Sequence, residues 1–325
     1  MTEFVGPPTL ALPFPSGRYA EEHHVRARAR AVRERLDAAG LGRFVQDDAI
    51  MADLICRTSP QADIGSIGYV ADWLLWVFPL DDLCEEVFSE TKFAEGIPTD
   101  TAFDMNSVPV STLPQVVTTG VADFHREVTA HMSSEWSDLF SSHLNTYILH
   151  AIHFAGLSDT ENLPELNDFL ILRREEGAAK PTIDLIEVAT RADLPDEVHD
   201  SALWRQICDT CADVLTWSND IFSYRKERRS GTRFNLIDVL VHHGRLTEQQ
   251  ALVRAVDMTN ARAQDFTDRA TELLCHSDFL SLAAETRAAA RRCLEGMKHW
   301  MRGQYDWFVI TRPDRYQVQV GQEAR

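Results

Sequence analysis

The chain has no surplus of positive charge. Lys and Arg number 32 against 50 Asp and Glu, a formal net charge of −18 at pH 7. Like charges repel, so nucleic acid and anionic membrane surfaces are poor partners for it. The same balance sets a condition on any phosphorylated substrate: bound cations must bridge it to the protein's carboxylates. No apolar run approaches the ~20 residues of a membrane span. The N-terminus has few basic residues and no apolar leader core, so a cytoplasmic location is expected. Cysteines are few and scattered, at Cys56, Cys84, Cys208, Cys211, Cys275 and Cys293, and read as reduced, mostly buried thiols. Cys208-x-x-Cys211 is half of a zinc spacing whose second half never follows. There is no β-alternation of useful length, no repeat of 20–50 residues and no low-complexity tract.

What is present is helical. Hydrophobic residues make up 44% of 325, enough for a sizeable core. Residues 1–16 are Pro-rich and predict an extended arm. Helices follow over about 21–39, 46–56 and 67–88, the last with Pro79 inside and a kink expected there. Residues 96–117 read as loop, and 121–154 as one long helix or two. A helix over 165–179 contains Gly177, a poor mid-helix residue that suggests a break or a close backbone approach. A short helix lies between Pro181 and Pro195. Long helices cover 197–228, 247–274 and 279–305, with another from Asn235 to Gly244. The expected architecture is all-α, one domain over 17–325 behind the arm, with helices around a central apolar cavity.

Two stretches carry chemistry. Asn219, Ser223 and Glu227 stand at i, i+4 and i+8 and stack on one helix face. An amide oxygen, a hydroxyl and a carboxylate suit a hard cation such as Mg2+, and Lys226 beside them is in reach of an anion sharing that metal. The second stretch follows Pro79. Asp81 and Glu85 are one turn apart, as are Asp82 and Glu86, and Phe78 lies one turn before Asp82. A carboxylate cluster at the mouth of an aromatic pocket is built this way; so is a helix end whose acids face water. His143, His150 and His153 fit core or surface histidines better than metal ligands. If the two acidic helices face each other, they hold several Mg2+ ions and, through them, a diphosphate.

With these residues the chain resembles the bacterial class I terpene synthases. Asp81-Asp82-Leu83-Cys84-Glu85-Glu86 matches that family's aspartate-rich motif, whose Asp-Asp-x-x-x-Glu pattern selects Glu86. Asn219 to Glu227 matches its second metal motif. Arg173, 46 residues before Asn219, matches the diphosphate-sensing arginine. Glu176 and Gly177 fall where the family has a linker acid, often Asp, and an effector residue. Arg315-Tyr316 matches its C-terminal pair.

The resemblance implies three Mg2+ ions on Asp81, Asp82, Glu86, Asn219, Ser223 and Glu227, and a prenyl diphosphate gripped by Arg173, Lys226, Arg315 and Tyr316. It implies ionisation to an allylic cation, then cyclisation beside aromatic faces. Phe78 and Trp300 are preferred, with Trp76, Phe154 and Trp307 as further candidates. The arm and residues 228–234 are the segments that order on binding in relatives. Farnesyl diphosphate is the expected substrate and geranylgeranyl diphosphate the alternative. A chain-elongating prenyltransferase and a non-catalytic helical binding protein are the remaining readings. A monomer or homodimer is expected.

Overall fold

The computed structural model describes residues 8–88, 112–155, 163–231 and 233–311. Among them there are helices and no strand. The helices are α1 Glu22–Ala38, α2 Asp48–Thr58, α3 Ser66–Phe88, α4 Gln115–Thr129, α5 Ser134–Ala155, α6 Leu166–Glu176, α7 Ala179–Thr190, α8 Asp196–His199, α9 Ala202–Ser230, α10 Leu236–Gly244, α11 Glu248–Cys275, α12 Ser277–Ser281 and α13 Ala284–Asp306. A π-helical turn, Trp307–Thr311, extends the last. None of the described helices is long and apolar enough to cross a membrane.

Local chemistry explains most of the boundaries. Asp47 caps α2 by accepting from the Ala49 amide at 2.9 Å, and Asn235 caps α10 by accepting from Ile237 at 2.8 Å. Thr247 and Gln250 cap α11 reciprocally. The long helix expected over 197–228 is divided instead. Ser201, in extended backbone, caps α9 and leaves α8 as a single turn. The 121–154 stretch is likewise two helices, and the second of these pairs begins a full turn after the first ends. α3 continues through Pro79 as one helix. The break expected near Gly177 is present, but the left-handed residue is Ala178, at φ 56°. For a residue with a Cβ this conformation costs about 1–2 kcal/mol.

α3 and α9 form the frame. α3 packs against α4, α5 and α7, and α9 against α7, α11 and α13. α13 crosses α2 closely at Gly303, where a Cβ would stand 2.5 Å from the Arg57 carbonyl oxygen. That approach brings Trp300 and Gln304 over the space between α3 and α9. Residues 8–16 form a strap along α11 and α13. Phe14 meets Phe266 of α11 edge-on at 5.8 Å. The Ala11 amide donates to Asn260 at 2.7 Å and the Ser16 hydroxyl to Asp306 at 2.8 Å. None of these nine residues lines the central cavity.

α7 also carries a buried ion pair, with His199 Nε2 3.0 Å from Glu187 Oε1. Burial pushes the Glu187 carboxyl up, and Glu187 raises His199 against burial that would lower it. Both folded values lie above the unfolded ones, so both groups stabilise the fold at low pH. That contribution is lost as pH rises from the ordinary His value through the raised one. His199→Gln is expected to flatten the fall of the thermal midpoint between pH 6 and 8, measured by calorimetry.

Candidate active site

Between α3 and α9 lies a cavity of about 760 Å³, within the range of small-molecule sites. Along α3 its lining passes from Leu74, Val77 and Phe78 to Asp81, Asp82 and Glu85, a rise of about 16 Å. α9 runs the same course, from Leu215 and Thr216 to Asn219 and Glu227. The two helices therefore present one apolar end and one acidic end. Phe154 from α5, Trp300 from α13, and Trp307 and Phe308 from the terminal turn close the apolar part.

The acids at the mouth repel one another. Desolvation raises the Asp81 carboxyl well above its ordinary value, and Glu176, Glu85 and Asp82 add to it. Partial desolvation, then Glu227 and Asp82, push Glu85 up to about 7, while Lys226 pulls the other way. Glu227 acting on Glu85 puts the two motifs within electrostatic reach across the mouth. Tyr147 donates to Asp81 Oδ1 at 3.3 Å.

Arg173 is the cation at the centre. It is 8% exposed. Its Nε donates to Asp220 Oδ1 at 2.9 Å, its Nη2 to Asn219 Oδ1 at 3.3 Å, and its Nη1 to Glu176. Asp220, fully buried, is pushed up to about 7 by desolvation, with Arg173 opposing. Its other oxygen accepts the Leu236 amide at 3.0 Å. Asn235 donates to the Asp220 carbonyl at 3.0 Å and to Glu227 Oε2 at 2.9 Å. Arg173, the second motif and the start of α10 thus form one hydrogen-bonded unit.

Most of the expected site residues meet in this one cavity: Phe78, Asp81, Asp82, Glu86, Arg173, Glu176, Gly177, Asn219, Glu227 and Trp300 all line it. Ser223 is buried between Asn219 and Glu227 and donates to the Asn219 carbonyl at 2.6 Å, leaving its lone pairs free to accept. Lys226 is exposed. Glu86 also pairs outward with Arg43 at 2.6 Å, while Glu227 of the second motif raises Glu85. Arg315 and Tyr316 lie outside the described residues. Among the aromatic candidates, Phe154 and Trp307 line the cavity, but Trp76 does not. It packs on α4, where a Cβ on Gly120 would stand 2.5 Å from its ring, and the Arg35 guanidinium lies 4.8 Å from its centroid. Residues 228–230 continue α9 rather than forming a loop.

The donor set is all oxygen, from carboxylates, an amide and a hydroxyl, which is the chemistry of Mg2+ or Mn2+ and not of zinc. Carboxyls that raise each other's proton affinity also bind a divalent cation that removes the repulsion. The residues present therefore fit such an ion.

Comparison with known proteins points the same way. The model of terpene synthase family 2, C-terminal metal binding, matches residues 72–265. The 4-epi-cubebol synthase ((2E,6E)-farnesyl diphosphate cyclizing) of Streptosporangium roseum is 27% identical over 260 residues, covering 79% of this chain and 76% of that protein. Pentalenene synthase of Streptomyces avermitilis is 26% identical over 306 residues, 91% of this chain and 89% of its own. In fold, the chain is similar to linalool/nerolidol synthase from Streptomyces clavuligerus in complex with 2-fluorogeranyl diphosphate. That likeness has a TM-score of 0.77 at 20% identity, over 94% of this chain and 100% of that one. The family match takes in both acidic motifs and everything between them, more than half of the sequence, and the chain belongs to terpene synthase family 2.

Proposed function

We propose that this protein is a class I sesquiterpene cyclase that ionises farnesyl diphosphate with Mg2+, cyclises the allylic cation and releases pyrophosphate. The observation that carries this is the two-ended cavity. Its acidic end joins both motifs around one buried arginine, and the remainder is apolar and aromatic. Farnesyl diphosphate is favoured over geranylgeranyl diphosphate because the names of two relatives, the 4-epi-cubebol and (+)-T-muurolol synthases, specify it.

Asp81, Asp82, Asn219, Ser223 and Glu227 would hold the metal, three ions in the proposed count, with Glu85 and Glu86 at the rim. Bound there, Mg2+ supplies the positive charge that a leaving diphosphate needs. Arg173 and Lys226 donate to that group, with Arg315 and Tyr316 assigned the same part. Phe78, Phe154 and Trp300 line the path of the cation, and a dry aromatic face is worth about 2 kcal/mol to it. Buried apolar walls keep water from the cation until cyclisation is complete.

Incubation with farnesyl or geranylgeranyl diphosphate, with and without Mg2+, tests the reading. Pyrophosphate and a C15 hydrocarbon or alcohol are expected from farnesyl diphosphate, and neither after chelation. Intact farnesyl diphosphate in the presence of Mg2+ would sink it, and consumption of isopentenyl diphosphate would point to chain elongation instead.

Gln304 is expected to steer the product. Its Nε2 donates to the Leu215 carbonyl at 3.0 Å and the residue lines the cavity. That bond fixes the carboxamide and leaves Oε1 as a polar acceptor in a largely apolar wall. Gln304→Leu should shift the product distribution, read by gas chromatography and mass spectrometry, more than it lowers pyrophosphate release.

A further inference from the structure

Just before α10, Arg233 presents a guanidinium N–H with no hydrogen-bond acceptor. Arg233 lines the cavity and is half-buried, and its Nη1 is buried without a hydrogen-bond partner. A buried cationic N–H with no acceptor bears its full desolvation penalty. Two neighbouring arginines are paired. Arg173 has Asp220 and Glu176, and Arg228 has Asp238 and Glu248. Asp238 feels the Arg233 charge, yet Asp238 Oδ2 is itself buried without a partner, so the two groups do not meet.

The position of Arg233 is also set. The next residue, Phe234, stacks on Phe154 at 4.4 Å and leans on Phe169 at 4.8 Å. The one after, Asn235, is bonded to Glu227 and to the Asp220 carbonyl. Two consecutive anchors thus hold the arginine against the second motif. A fixed guanidinium with an unsatisfied N–H beside an oxygen-ligand site matches a phosphate oxyanion that arrives with its own metal.

We propose that Arg233 is a further diphosphate-holding residue of this chain, placed beside the second motif just before α10. This rests on the functional reading above.

Calorimetric titration of the full chain with inorganic pyrophosphate in Mg2+ tests it, using wild type, Arg233→Gln and Arg233→Lys. The glutamine variant is expected to bind at least about tenfold more weakly, with lysine intermediate because it offers a point charge without the fork. The thermal midpoint of the ligand-free glutamine variant should match or exceed wild type, since a buried N–H without an acceptor has been removed. Unchanged pyrophosphate affinity with a lowered midpoint would overturn the inference and make Arg233 a structural partner of Asp238. Wild type that fails to bind pyrophosphate with Mg2+ would instead overturn the functional reading, and the inference with it.

Discussion

Arg173→Met is expected to lower pyrophosphate release from farnesyl diphosphate by about 10³-fold, the scale of removing donors that face developing negative charge. The same substitution weakens the fold. Asp220 is fully buried and Arg173 is its counter-charge at 2.8 Å. Breaking a buried pair from one side costs about 3–5 kcal/mol, because the remaining charge is uncompensated. The two effects separate in the double variant. Adding Asp220→Asn removes the stranded carboxylate and should recover most of the thermal midpoint. Turnover should stay low, since the guanidinium is still missing. Recovery of both quantities together would show that Arg173 serves only the fold.

Gly177→Ala carries the second large effect. A Cβ there would stand 2.5 Å from Thr216 Cγ2, 2.9 Å from the Arg173 carbonyl and 3.0 Å from Arg173 Nη1. The methyl cannot be housed unless α6 and α9 move apart, and Arg173 must move with them. Displacing a catalytic group by about 1 Å is worth about 10² in rate, whereas overpacking of this kind costs the fold only about 1–3 kcal/mol. Thr216→Ala removes the nearest clash and leaves the Arg173 contacts. The double variant should therefore recover part of the rate, a coupling between neighbours that independent sites do not show. Steady-state rates and thermal midpoints of the four proteins measure it.

How much of this was readable beforehand follows from period and distance. Asn219, Ser223 and Glu227 are one helix turn apart, so their common column needed no tertiary information. The same applies to the step from Phe78 to the acids of α3. Gly177 announced its tight contact by being a poor residue for its place. Asp220 was not found. It sits one residue from Asn219, about 100° round the helix, and its partner Arg173 is 47 residues away. Helix period cannot report a pairing across that separation.

For a related reason the sequence does not separate Glu85 from Glu86. Both follow Asp81-Asp82 at a helix end, and either column satisfies the period. The pairing of Glu86 with Arg43, from a distant part of the chain, is a difference that helix period does not report. Trp76 was drawn toward the cavity by its neighbours in sequence, although its own phase turns it to Gly120 on α4. Ser201 looked like an ordinary helix residue, and only its extended backbone marks it as a cap.

The crowded carboxylates of the mouth have a consequence for the lifetime of the protein. Without a cation the mouth crowds Asp81, Glu85 and Glu176 together, which raises the Asp81 and Glu85 carboxyls, and a bound cation would relieve that crowding. Anything that binds the native state alone stabilises it in proportion to the logarithm of its concentration over its dissociation constant. Degradation begins from opened chains, so the population that proteases meet is drawn mainly from molecules without cargo. The protein is therefore expected to resist proteolysis better as its diphosphate and metal ligands become more plentiful.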